Sequence, residues 1–357
     1  MNDLLPRKEL ESLIVDLTAS GGFAIKNPAL FENLSRRGDW DILVEDLQVA
    51  EGFVVRHLGP PDGLARRSYV SSYFYSWGFI DLLTDWQWRG FALLSNDDLR
   101  ASLVTGPDGL PAVGPVLEGV VTWSTKLLWN GRGDPRYRER VRTAATADPT
   151  EFGQACRAIF GRRLGSKLKA IALSGEVERA DALVPRLRMA VAGRAICRHP
   201  WTSARGKLQF LRAEARLRLH PPVPMVSATS DELLARVDAA AVDSWSAVSG
   251  SVGVQLLAPR ARWFRLARLT IRYWTTVAYH RTRCQIVVLL FETSARRQPL
   301  RRSKLLRLLV PAPDLEINEG DERLADLNEW LLTETRRRAL VALLPANRFM
   351  AQSGDAA

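Results

Sequence analysis

The sequence predicts an α/β fold, and three observations predict it. Short apolar runs of strand length, at residues 23–25, 39–44 and 80–83, alternate with segments whose leucines recur at helical spacing. From Val116 the apolar period turns helical and stays so to about residue 220. His220-Pro221-Pro222-Val223-Pro224 then makes a stiff break, beyond which strand-length apolar runs return. The chain is read in four parts: an α+β sheet unit over 1–105, a helical Arg-rich middle over 106–220, a second α/β unit over 221–350 and a disordered tail over 351–357.

The elements follow in order. Leu4, Leu5, Leu10, Leu13, Ile14 and Leu17 predict a first helix within 3–20, stopped by Gly21-Gly22. Phe23-Ala24-Ile25 reads as a short strand, Asn27-Pro28 as a turn and 30–34 as one or two helical turns. Residues 39–44 form the next strand. Residues 47–52 read as a helix end, and Phe53-Val54-Val55-Arg56-His57-Leu58 as a further strand closed by Gly59-Pro60-Pro61. Residues 68–77 alternate tyrosine and serine as a sheet strand does, and Gly78 turns the chain into the strand of Asp81. The turn-rich stretch 106–114 reads as a loop. Helices are expected from Val116 to a stop at Asn130-Gly131, over 136–145, over 149–161 and through much of 162–220. A last amphipathic helix covers 324–343.

With 357 residues, 46% hydrophobic and 25% charged, the composition is that of a globular protein with room for two or three cores. Cys156, Cys197 and Cys284 lie far apart without metal-type spacing, which suits a reducing cytoplasm better than a disulfide scaffold. No basic, apolar leader opens the chain and no uncharged run approaches the ~20 residues of a spanning helix, so a cytoplasmic location is expected. The net charge of +11 is unevenly spread. Residues 151–310 hold 29 Lys and Arg against 10 Asp and Glu; the remainder holds 21 against 29. Such a basic middle would attract nucleic acid, an anionic membrane surface or an acidic glycan precursor. Equally, its arginines can sit on solvated helix faces with their stems over apolar surface. No nucleic-acid-binding motif accompanies the charge. The four histidines lie in unrelated segments and suggest no catalytic constellation.

The chemistry concentrates at Gly38-Asp39-Trp40-Asp41-Ile42-Leu43-Val44 and Ile80-Asp81-Leu82-Leu83. Asp39 and Asp41, two apart on a strand, point to the same face. A bare carboxylate on a buried strand is costly unless it is paired or binds a cation. Asp81 opens another apolar run, and an adjacent antiparallel strand would set it beside the pair. Three converging carboxylates suit Mg2+ or Mn2+, which in turn hold a nucleoside triphosphate. The alternative is that the aspartates cap turns.

Residues 37–44 together with Phe79-Ile80-Asp81-Leu82-Leu83-Thr84-Asp85-Trp86-Gln87-Trp88-Arg89-Gly90 resemble the nucleotidyltransferase fold. The resemblance is narrower to bacterial nucleotidyltransferase-like proteins found with polysaccharide genes. It implies that Asp39, Asp41 and Asp81 bind the metals, with Asp81 also helping to deprotonate a hydroxyl acceptor. The family's Gly-Ser turn before the first aspartate is absent, and Phe23-Ala24-Ile25-Lys26-Asn27-Pro28 stands there instead. Lys26 is the candidate substitute on the phosphates, as a point charge. Lys126, on the first helix of the middle part, either faces the phosphates or lies on the surface. Trp86, Trp88 and Arg89 either stack on and hold the nucleotide or seal the domain's second face.

Beyond Pro221 the order of elements resembles, more weakly, a thymidylate-kinase-like P-loop domain. Apolar 225–228 takes the place of the first strand, 285–290 that of a central strand, and 309–315 the run before a helical C-terminus. The chemistry is erased: a phosphate loop needs glycines, a lysine and Ser/Thr, and Ser227-Ala228-Thr229-Ser230-Asp231-Glu232 stands in its place. No glycine or lysine falls between Pro224 and Gly250. Phe291-Glu292-Thr293 replaces the kinase's Asp-Arg-aromatic run. The expectation is a Mg2+-dependent transferase moving a nucleoside monophosphate from an NTP to a hydroxyl on a glycan precursor or protein, in surface-polysaccharide synthesis. The alternative is a non-catalytic scaffold or regulator of such a pathway, with both nucleotide sites degenerate.

Overall fold

The computed structural model describes residues 5–26, 28–35, 39–219, 222–228, 251–255, 286–290, 314–317 and 326–353. The first third runs α1 (Arg7–Ala19), β1 (Phe23–Lys26), α2 (Leu30–Ser35), β2 (Asp39–Leu43), α3 (Leu47–Leu58), β3 (Gly63–Arg66), β4 (Val70–Tyr75) and β5 (Gly78–Leu83). It closes with a hairpin of β6 (Gln87–Trp88) and β7 (Phe91–Ala92), the short α4 (Asn96–Arg100), and a second hairpin of β8 (Leu103–Thr105) and β9 (Pro111–Val113). Seven strands form one mixed sheet in the order β3-β4-β5-β2-β1-β9-β8. This is the α/β class that the apolar runs predict.

Three local expectations are corrected. Residues 53–58 are not a strand but the second half of α3. The Asp46 carboxylate caps that helix by accepting from the backbone N–H groups of Gln48 and Val49, and Ala50 and Val54, four apart, bury one face. Burial at helical spacing overrides the strand preference of Val54-Val55. The 106–114 loop holds β9, which joins β1 in parallel and extends the sheet. Asp81 does sit beside the Asp39/Asp41 strand, but β5 is parallel to β2, not antiparallel. The crossover through α3 and the β3–β4 hairpin returns the chain to the sheet in its original direction.

Alternation sorts the strands onto two cores. Ala24, Trp40, Ile42, Tyr73, Ile80 and Leu82 face Leu10, Leu13 and Leu17 of α1 and Val54 of α3. Phe23, Leu43, Val70 and Leu83 face the other way, under Leu117, Val120 and Val121 of α5 (Pro115–Thr125). Each such large apolar side chain contributes about 1.5–3 kcal/mol on burial. Asp39 and Asp41 share the strand face of Leu43, on the side that the helices cover.

From α5 onward the middle is helical. After α5 comes a π-turn (Lys126–Asn130), ended by Gly131 at φ +77°. Then follow α6 (Arg138–Ala147), α7 (Pro149–Phe160), α8 (Arg162–Ser174), α9 (Val184–Arg198) and α10 (Pro200–Leu219). Arg162, Arg163, Arg186, Arg198, Arg212 and Arg216 are exposed, so much of the basic charge lies on solvated helix faces. Trp86 and Trp88 are buried in the helical core and seal the sheet. Among the described residues no helix is long and apolar enough to cross a membrane.

Past the proline break, β10 (Met225–Ala228), β11 (Ser251–Gln255), β12 (Ile286–Leu290) and β13 (Leu315–Ile317) form a parallel sheet in the order β11-β12-β10-β13. The first strand lies inside, so the order reverses at β10, the point where open α/β sheets bind ligands. The stretch expected to replace the phosphate loop starts there, but Thr229–Glu232 and residues 309–313 lie outside the described residues. The final helix, α11 (Leu327–Ser353), continues through 351–353, which were expected in the tail; 354–357 lie outside the described residues. Although α11 follows the second sheet, Ala339 and Leu343 bury in the core of α1 and α3. Its Arg338 binds Asp314 at 2.7 Å and its Arg336 binds Asp62 at 2.7 Å, tying the two sheets together.

Candidate active site

One row of polar side chains crosses four strands of the large sheet. Ser72 on β4 is the register partner of Asp81 on β5. Asp81 is the partner of Asp41 on β2, and Asp41 that of Lys26 on β1. Asp39 lies two residues before Asp41 on the same face of β2.

Lys26 reaches this row through a defect in β1. Ala24 pairs with Ile42, yet Lys26, two residues on, pairs with Asp41, one residue back along β2. Ile25 is the extra residue of a β-bulge. In unbroken pairing Ile25 would oppose Asp41, and Lys26 would oppose Trp40 on the face buried against α1 and α3. The bulge instead puts Phe23, Ile25 and Lys26 on one side, the first two in the helical core and the third on the carboxylates.

Lys26 Nζ stands 2.7 Å from Asp41 Oδ2, with the side chains 13% and 4% exposed. Ser72, also buried, hydrogen-bonds Asp81. Asp81 Oδ1 is buried with no hydrogen-bond partner. Burial opposes the charge of Lys26, but Asp41, Asp39 and Asp81 outweigh it and hold the ammonium above the ordinary lysine range. Burial pushes the Asp41 carboxyl up to about 7, with Asp39 and Asp81 adding to the push and Lys26 pulling against it. Burial likewise raises Asp81, opposed by the Ser72 hydrogen bond.

The structure brings Asp39, Asp41, Asp81 and Lys26 onto one face of the sheet. Among the described residues no group of three or more His, Cys, Asp or Glu side chains is arranged to hold a metal ion. The cation beside Asp41 is Lys26. Lys126 places its ammonium 4.8 Å from the Tyr137 ring centre and pairs with none of the three carboxylates. Arg89 does not pair with them either. It occupies a left-handed conformation (φ +50°) in the β6–β7 turn, its guanidinium 5.7 Å from the Trp88 ring centre. Ser72 completes the row, and the sequence alone does not single it out, because the adjacent Ser71 and Ser72 point to opposite faces of the strand.

Mg2+ is commonly held by one or two carboxylates, with substrate phosphates and water completing the shell. Of the row, Asp39 and Asp81 are carboxylates that could contribute to such a shell, while Asp41 has Lys26 beside it. A separate cleft of about 560 Å³ lies between the β6–β7 hairpin, α9 and α10. Leu93, Ile159, Arg194, Arg198 and Arg205 are among its lining, and none of the three row carboxylates reaches it.

Fold and site together define a mixed-sheet α/β protein with a carboxylate pair in register at the sheet centre and a lysine built into it. Comparison with protein-family models, with curated proteins and with solved structures gave no match.

Proposed function

We propose that the chain is a divalent-cation-dependent nucleotidyltransferase that moves a nucleoside monophosphate from an NTP to a hydroxyl acceptor. The observation that supports this reading is the register pairing of Asp41 with Asp81, with Asp39 on the same face and Asp81 Oδ1 without a partner. Mg2+ or Mn2+, held by Asp81 and Asp39, would neutralise the phosphate oxygens when bound. The acceptor hydroxyl oxygen bonds to the α-phosphorus, pyrophosphate leaves, and Asp81 takes the hydroxyl proton. Burial raises its pKa, which favours its accepting that proton. Lys26 fixes the orientation of Asp41 beside it. The acceptor is a glycan precursor or a protein hydroxyl, and the setting is cytoplasmic surface-polysaccharide synthesis.

A thermal-stability screen with each of the four NTPs and Mg2+ or Mn2+ tests the reading. A ligand at 100 times its Kd adds about 2.7 kcal/mol. Stabilisation by one nucleotide, dependent on the metal and lost in Asp81→Asn, is the expected result. Absence of stabilisation with every nucleotide would defeat it. One observation favours a second reading, a non-catalytic scaffold. Lys26 gives the buried Asp41 carboxylate a counter-ion without any ligand.

A further inference from the structure

We infer that the outward face of α10 docks the protein on an anionic membrane surface, the helix lying in the interface without crossing it. None of its residues belongs to the carboxylate row, so this surface and the transferase reading are tested apart.

The helix has an inner face and, opposite it, an apolar stripe. Ser203, Phe210 and Leu217 recur every seventh residue, are buried and mark the inner face. On the other side Trp201, Ala204, Leu208, Leu211 and Ala215 are all exposed. Their spacing alternates three and four, so they align along the helix. Trp201 is 87% exposed, Leu208 49% and Leu211 52%. A continuous apolar stripe turned to solvent, on a helix already packed by its other face, marks an interaction surface. Arg205, Arg212 and Arg216 recur at helical spacing along one flank, are exposed, and pair with no carboxylate among the described residues. Across α9 and α10 nine Arg and Lys stand against one acidic residue, Glu214. That one faces Arg67 at 3.8 Å.

The chemistry selects the partner. A second copy of this chain would bring together two arginine-flanked helices with no carboxylate row to meet the guanidinium groups. Nucleic acid would use the arginines and leave the stripe idle. An anionic bilayer surface uses both. The stripe enters the headgroup boundary, where an indole such as that of Trp201 is favoured, and the arginines meet the anionic head groups.

The test is flotation of the full chain with lipid vesicles. Vesicles of equal parts phosphatidylcholine and phosphatidylglycerol should carry the protein, phosphatidylcholine alone should not, and added salt should release it. Trp201→Ser/Leu208→Ser/Leu211→Ser should abolish flotation and leave the melting temperature at the wild-type value, because all three side chains are exposed. Should that variant melt low, Trp201→Ser alone decides, with an expected loss of about tenfold in affinity. Arg212→Gln and Arg216→Gln should each weaken binding about fivefold. Val15→Ser/Val49→Ser removes exposed apolar side chains elsewhere and should change nothing. No flotation with the anionic vesicles, flotation that survives the serine variants, or an equal loss in the valine control would each overturn the inference. A dimer in sedimentation that the triple variant dissolves, without flotation, would assign the face to a second copy instead. RNA binding that the triple variant keeps, again without flotation, would assign the arginines to nucleic acid.

Discussion

Lys26 Nζ lies 2.7 Å from Asp41 Oδ2 across the central strand pair, and this ion pair is nearly inaccessible to solvent. Such a pair is worth little net relative to well-packed apolar side chains, because each charge loses its hydration, but half of it is very unfavourable. Lys26→Met should therefore cost about 3–5 kcal/mol in urea unfolding without metal. Replacing both partners, Lys26→Met/Asp41→Leu, should recover most of that loss. A double variant no better than the single one would show that Lys26 stabilises through something other than Asp41.

The register contact between Asp41 and Asp81 sets the pH dependence. Both carboxyls titrate above their ordinary range in the folded chain, chiefly because they are buried. The folded state therefore binds extra protons. The stability this confers is full below pH ~4 and is lost as pH rises through the folded pKa, which for Asp41 is about 7. The raised Lys26 value adds no slope in this window, since its contribution fades only above the ordinary lysine range. Asp81→Asn imitates the protonated form and removes one of two facing negative charges. Without metal it should be more stable than wild type at pH 8 by roughly 0.2–1 kcal/mol. The gap should close as the pH falls toward 4. A constant gap from pH 4 to 8, in thermal melts, would show that Asp81 does not titrate in this range.

Gly90 and Gly206 dock the β6–β7 hairpin on α10 backbone to backbone. A Cβ on Gly90 would lie 2.6 Å from the Gly206 carbonyl oxygen, and one on Gly206 would lie 2.5 Å from the Gly90 carbonyl oxygen. Gly90 also holds φ +92°, which disfavours a side chain whatever the space. Gly206→Ala tests the clash alone, since its own backbone is helical, and should cost about 1–3 kcal/mol. The two substitutions together should cost less than their separate effects summed, because the first already opens the contact. Full additivity in chemical denaturation would argue that the hairpin and α10 respond independently.

The sequence carried the α/β class and the acidic strand well, because period-2 burial and paired carboxylates are local signals. Trp40 and Ile42 against Asp39 and Asp41 already state which face is buried and which is chemical. It carried α3 poorly: Val54-Val55 satisfy a strand pattern, and only the Asp46 cap and the distant α1 surface select helix. It could not carry the role of Lys26. The face a strand residue occupies follows from alternation alone only while the ladder is regular, and the bulge at Ile25 appears only when β1 is set against β2. Nor could it show that α11, more than 300 residues along, returns to the first core, since Ala339 and Leu343 read simply as apolar positions on an amphipathic helix.

That return is held by a second buried charge, on the sheet face opposite the carboxylate row. Glu51 of α3 is buried, accepts a hydrogen bond from the Tyr73 hydroxyl at 2.6 Å and pairs with Arg66. Arg66 in turn donates to the Ala342 carbonyl of α11. Burial and the neighbouring Glu51 carboxylate keep the Tyr73 phenol well above its ordinary pKa, so it remains a donor across the working pH range. Tyr73→Phe leaves one oxygen of a buried carboxylate with a lost partner and should cost about 1–3 kcal/mol. Arg66→Met should cost more, because it strips Glu51 of its counter-ion and α11 of its anchor together. The two variants separate in hydrogen exchange. Tyr73→Phe should lower protection evenly with global stability, whereas Arg66→Met should expose the amides of α11 around Ala342 first. Equal loss across the whole chain in both variants would mean that α11 is fastened by Ala339 and Leu343 rather than by Arg66.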